Sequence, residues 1–152
     1  MSVVSSAKCD DATWSQPRIS SDVFSRLHKR LPPKEETRAL VKEGFAHFRH
    51  ETSLFHEASF MSLFETRFTQ EYDEAHGPGW WASLNMVLAT THRVRVLGDL
   101  TLQEEEEIAS LYFKNAMAVL TDLMLRGSHI LSVQALLTMV NRRITSRTTS
   151  LT

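Results

Sequence analysis

The chain has 152 residues, 42% of them hydrophobic and 23% charged, with a net charge of −1. That length suits one domain with a real core, and the composition is that of a folded globular chain. With 17 basic against 18 acidic residues, there is no surplus of cations to neutralise phosphates, so DNA or an anionic membrane is not expected as a direct partner. Cys9 is the single cysteine, which excludes an internal disulfide and a Cys-rich zinc module. There is no basic start with an apolar run, as in a signal peptide, and no window approaching ~18 consecutive apolar residues. The expectation is an intracellular, reducing compartment.

In chain order, residues 1–19 are rich in Ser and Asp, contain Pro17, and read as a flexible lead-in. Val23, Phe24, Leu27 and Leu31 share one helical face, with Ser20 or Ser21 as cap, and Pro32-Pro33 end that segment. Pro33 suits the first turn of the next helix, where Glu35 and Glu36 meet its positive end. Leu40, Val41, Phe45 and Phe48 form its apolar side. Ser59 is expected to cap a third helix running to about Asp73, with Phe60, Phe64, Phe68 and Tyr72 at steps of four. The apolar arc of this helix covers about half its circumference, as expected of core packed against more than one neighbour.

"HGPG", His76 to Gly79, reads as a turn. "WWASLNMVLATTHRVRVL" follows as a helix, with Arg93 and Arg95 near its negative end. Thr101 and Glu104 in "TLQE" make a capping box. They open a helix with Ile108, Leu111, Tyr112, Ala116, Leu120 and Leu123 on its buried side and Gly127 as terminator. Ser132 opens the last helix, "SVQALLTMV", and residues 142–152 read as a polar tail. No segment alternates like a strand. The fold expectation is all-α: an irregular bundle or superhelix of about six helices, with residues 20–141 as one helical domain.

A search for chemistry finds no assembled active site. "HETSL" and "HEASF", starting at His50 and His56, begin like a zinc-protease H-E-x-x-H helix, but Leu54 and Phe60 stand where the second imidazole is needed. His47 and His50 share a face without a third ligand. There is no G-x-S-x-G elbow. "GPGWW" lacks the Lys-Ser/Thr of a phosphate loop. Glu104 to Glu107 point in four directions from the positive end of a helix and read as its solvated start. No catalytic, metal-binding or cofactor-binding residues are assigned. Two non-catalytic features stand out. Phe60, Phe64, Phe68, Trp80, Trp81 and Met86 could line core or an apolar ligand cavity. The last helix carries Val133, Leu136, Leu137, Met139 and Val140, which makes it apolar on more than one side. Val133, Leu136, Leu137 and Val140 are the candidate interaction surface.

The ordered pieces "LPPKEETRALVKEGFAHFRHETSLFHEASFMSLFE", "WWASLNMVLATTHRV" and "YFKNAMAVLTDLMLRGSHILSVQALLTMV" resemble the fungal-specific transcription factor domain, or middle homology region. The match lies at Leu31–Phe64, Trp81–Ala89 and Tyr112–Met139. The resemblance implies a non-enzymatic, helical regulatory region in the nucleus that acts on RNA polymerase II transcription through protein contacts. Its partners would be transcription factor subunits or a second copy, with a small-molecule effector as a further option. In this family a zinc cluster binds DNA from a separate module, and Cys9 alone offers it nothing here. The family domain continues past the "SVQALLLM" helix, so the chain is expected to be its N-terminal part. The alternative is a small-molecule-binding helical module that senses an effector in an apolar cavity. A third reading, a small enzyme using His47, His50 or His56, rests only on the density of His and acid there.

Overall fold

The computed structural model describes residues 29–47, 54–96, 102–126 and 129–148. Among them are six helices and no strand: α1 (Lys34–His47), α2 (Glu57–Arg67), α3 (Gly77–Val96), α4 (Leu102–Ala118), α5 (Leu120–Arg126) and α6 (Ile130–Thr148). The all-α class holds. The lead-in, the predicted helix before Lys29, Phe48, His50, Thr101 of the capping box and Gly127 lie outside the described residues.

The centre of the fold is α3. Every residue from Gly79 to Ala89 is buried, as are Thr91 and His92. A helix covered on all sides needs neighbours all round. Helix α4 packs most extensively along it, followed by α6 and α1. Tyr112, Ala116 and Val119 meet it from α4 and the turn that follows, Ala135 and Met139 from α6, and Leu40 and Val41 from α1. Small side chains allow the close approaches. A Cβ on Gly79 would stand 2.8 Å from Ser132 Oγ and 3.2 Å from Ser132 N, so the start of α6 lies directly on the first turn of α3. Ser83 Oγ donates to Leu131 O at 3.3 Å one turn later.

Five local expectations are corrected. The cap of α2 is His56, whose ring accepts from Ser59 N at 3.4 Å, and the helix starts at Glu57 rather than after Ser59. It ends at Arg67 rather than near Asp73, because Phe68 turns extended (φ −66°, ψ 126°). The strand-like exit lets Gln70 O accept from Leu31 N at 3.3 Å, which tertiary pairing can favour over one more helical turn. The "HGPG" turn is in large part the first turn of α3, entered through Gly77 at φ +79°, a left-handed value that glycine tolerates without strain. The predicted Thr101–Gly127 helix is broken near Val119 into α4 and α5, and α6 begins at Ile130, ahead of Ser132, and runs to Thr148.

Candidate interaction surface

Of the aromatic residues singled out from sequence, Phe60, Phe64, Phe68 and Trp80 sit where α1, α2 and α3 meet. Phe60 is 2% exposed, with ring centroids 5.3 Å from Phe45, 5.4 Å from Phe55 and 5.2 Å from Trp80. Phe64 is wholly buried and lies 5.0 Å from Phe68, which is half-buried. Edge-to-face and tilted rings at these distances are mutually attractive. Trp80 Nε1 donates to Arg67 O at 3.1 Å and so closes the C-terminus of α2. Trp81 and Met86, also buried, turn to other sides of α3. Trp81 meets Tyr72 edge-on at 6.0 Å. The six side chains therefore divide between neighbouring patches of one core. Tyr72 belongs to the loop after α2, so its step of four from Phe68 is a coincidence of spacing.

The other candidate surface is on α6, which has two unlike apolar faces. Ser132, Ala135 and Met139 face the core, and Arg142 lies over the Phe113 ring at 4.7 Å while donating to Ala109 O at 3.1 Å. Burial pushes the Arg142 guanidinium below its ordinary value. On the opposite face Ile130, Val133, Leu137 and Val140 are 75%, 51%, 50% and 58% exposed. These four recur at steps of three, four and three, an arc of roughly 80° on a helix of 100° per residue. Met124 and Leu125 on α5 are also exposed. Leu136 departs from the predicted surface: it is partly buried and packs on the core. Ile130, which begins the stripe, was missed because the helix was expected to start at Ser132.

Sequence reasoning also missed a polar seam. His92 is buried, donates from Nδ1 to Glu105 Oε2 at 2.6 Å and stacks on Tyr112 at 5.5 Å. Arg95 lies 3.8 Å from Glu105 and forks onto Glu43 at 2.5 and 2.7 Å. That fork holds the Glu43 carboxyl below its usual range. Glu105 is thus turned inward, unlike the solvated helix start expected for "EEEE". The signal was there: His92 and Arg95, three apart on one helix, face an acidic helix start. Asn115, wholly buried, accepts from Lys29 N at 3.2 Å and donates to Lys29 O at 2.5 Å and to Asn85 Oδ1 at 3.1 Å. This fixes the chain entering the domain to the α3–α4 seam.

Of the other histidines singled out from sequence, His50 lies outside the described residues. His47 is exposed in the last turn of α1, and His56 is an exposed cap. Among the described residues no three His, Cys, Asp or Glu side chains could hold a metal ion together. The stretch Gln103–Arg126 is long and apolar enough to resemble a membrane span by length and composition. It opens with Glu104 to Glu107, though, and buries Tyr112, Ala116, Val119 and Leu123 in the core, as a core helix does.

The chain is homologous to a segment of fungal transcription factors. It is 49% identical over 140 residues to the ABC-transporter-regulating transcription factors of Aspergillus oryzae and Aspergillus fumigatus, covering 90% of this chain and 15% of each of those proteins. It is 36% identical over 124 residues to the fusaridione A cluster transcription factor fsdR of Fusarium heterosporum, covering 82% of this chain and 23% of that protein. The chain therefore spans less than a quarter of the length of these curated relatives. No protein-family model matches the chain, and no solved structure matches it.

Proposed function

We propose that the chain is a non-enzymatic regulatory domain of the middle-homology type, acting in the nucleus on RNA polymerase II transcription through protein contacts. The observation that carries this reading is the alignment over 90% of the chain, at 49% identity, with proteins named as transcription factors. The near-balanced charge supports leaving DNA contact to a separate module rather than to this chain. The outward face of α6 is the surface through which it touches other chains. Regulation of transporter genes or of a biosynthetic cluster, the roles named for the relatives, is the natural class of output. The test is a reporter assay with the chain fused to an unrelated DNA-binding domain, alongside imaging of a fluorescent fusion. A change in reporter output from a nuclear protein is expected. No change, or exclusion from the nucleus, overturns the reading.

A second reading, an effector-sensing module, has one observation in its favour. Trp81 Nε1 and Asp122 Oδ1 are buried without a hydrogen-bond partner among the described residues. Both groups neighbour Tyr72, whose hydroxyl is pushed up to about 12 by burial and then by Asp122. A buried donor and acceptor left open are costly unless something fills them. A thermal-shift screen with small polar and aromatic metabolites tests this reading. Stabilisation that Asp122→Ala abolishes supports it, and no stabilisation by any compound removes it.

A further inference from the structure

We propose that residues 29–31 are a detachable strap, docked on the seam between α3 and α4 and on the loop after α2, which comes away while the helices stay folded.

The sequence makes this stretch extended. Pro32 pushes Leu31 out of the helical region, and Pro33 does the same to Pro32. The strap therefore has no helix of its own, and its backbone groups must find partners elsewhere. Burial alternates as in an extended chain: Lys29 is half-buried, Arg30 is exposed and Leu31 is buried.

Two residues far along the chain supply the partners. Asn115 accepts from Lys29 N at 3.2 Å and donates to Lys29 O at 2.5 Å, the two-point grip that one strand takes on another. Gln70 repeats it on Leu31. Its backbone O accepts from Leu31 N at 3.3 Å, and its Nε2 donates to Leu31 O at 3.5 Å. Folded surfaces hold extended peptides in this manner, with main-chain bonds giving the hold and an alternate side chain, here Leu31, entering a pocket. The outer side chains add weaker ties. The Lys29 ammonium lies 5.6 Å from the Tyr112 ring centroid, and Arg30 meets Glu71 at 3.0 Å in an exposed ion pair.

The seat tolerates being emptied. The strap leaves behind the Asn115 amide, the Gln70 amide and carbonyl and the Glu71 carboxylate, all of which water can satisfy. Asn85 Oδ1 keeps its bond from Asn115 Nδ2 at 3.1 Å. Leu31 is the one strap side chain in the apolar core. The body of that core is α3 covered by α1, α4 and α6, packed helix to helix. The downstream end stays fixed, because Thr37, wholly buried in α1, donates from Oγ1 to Pro32 O at 3.0 Å and from N to Pro33 O at 2.9 Å. The strap thus opens from the Lys29 end. It sets where the chain enters the domain: at Asn115 when docked, at the first turn of α1 when released.

The test is amide hydrogen exchange of the full chain, followed by NMR at rising sub-denaturing urea. The Leu31 amide is expected to be protected, yet to exchange at least about tenfold faster than that of Leu88 in α3 and to respond weakly to urea, because a local opening exposes little surface. Lys29→Pro deletes the N–H that Asn115 accepts and should speed exchange at Leu31 about tenfold, with helical circular dichroism retained. Lys29→Ala leaves both main-chain groups in place and should speed it less. Met139→Ala, a core change on α6, weakens the docked and released domains alike, so it should speed exchange at Leu88 and leave Leu31 as it was. Leu31 exchanging in step with Leu88, across urea or in Met139→Ala, would make the strap part of the global core and overturn the proposal. An unprotected Leu31 amide, no response at Leu31 to Lys29→Pro, or a larger response to Lys29→Ala than to Lys29→Pro would each overturn it too.

Discussion

The aromatic patch around Phe60 and the stripe along α6 are both runs of large apolar side chains at helical spacing, yet one is closed and the other open. Phe60, Phe64 and Trp80 are at most 2% exposed, whereas Ile130, Val133, Leu137 and Val140 are at least 50% exposed. The difference lies in what each helix has beside it. α2 lies against both α1 and α3, so its aromatic rings find partners on either side. α6 lies against α3 and the Ala109–Phe113 stretch of α4 with one face only. Apolar periodicity therefore says that a face must be covered, while the tertiary arrangement says by what.

The largest effect should come from the closed region. Phe64→Ala removes a wholly buried ring and is expected to cost ~3–5 kcal/mol in a denaturant titration. Leu137→Ala, on the open face, should cost within ~0.5 kcal/mol at concentrations where the chain is monomeric. Equal costs would mean the two regions do not differ. Gly79→Ala comes next, because its new Cβ runs into Ser132 Oγ and backbone. A loss of ~1–3 kcal/mol is expected, typical of overpacking. A silent change there would show that α6 is free to shift on α3. Leu120, predicted as a central core residue, is only partly buried, so Leu120→Ala should fall below ~2 kcal/mol, under the range of fully buried leucines.

The pH dependence sharpens the contrast from another side, through the ties between elements. Arg38 and Lys34 hold Glu65 down from the ordinary value of 4.5 to about 2, and Arg95 holds Glu43 down. Both carboxyls bind fewer protons folded than unfolded, so their contribution is present above 4.5 and drains away as the pH falls, toward 2 for Glu65. Tyr72 and Tyr112 are pushed from 10 to about 12, chiefly by burial. Their contribution is present below pH 10 and is lost as pH rises through 12. Thermal melts across pH should therefore decline at both ends, and Glu65→Gln should flatten part of the acid limb. An unchanged acid limb in that variant would dissolve the α1–α2 tie. His56→Ala should have the smallest effect, ~0.5–1 kcal/mol or less for an exposed cap with a long hydrogen bond.

The helical class, the position of α1, the body of α3, the start of α4 and the resemblance to fungal regulators were legible in the sequence, because periodicity, prolines and acidic helix starts act locally. The site was legible only in part. Val133, Leu137 and Val140 were found as an apolar surplus, but their opposition to Ala135 and Met139 depends on where α3 lies. Tertiary structure alone decided that Leu136 turns inward, that α2 stops at Arg67 so that Gln70 can pair with Leu31, and that Glu105 leaves solvent for His92. It also decided why Gly79 has no side chain: Ser132, 53 positions away, occupies the space. Local energies of a few tenths of a kcal/mol set helix type and register. Such energies cannot specify which distant residue fills a given volume, because that choice depends on excluded volume and burial across the whole assembled core.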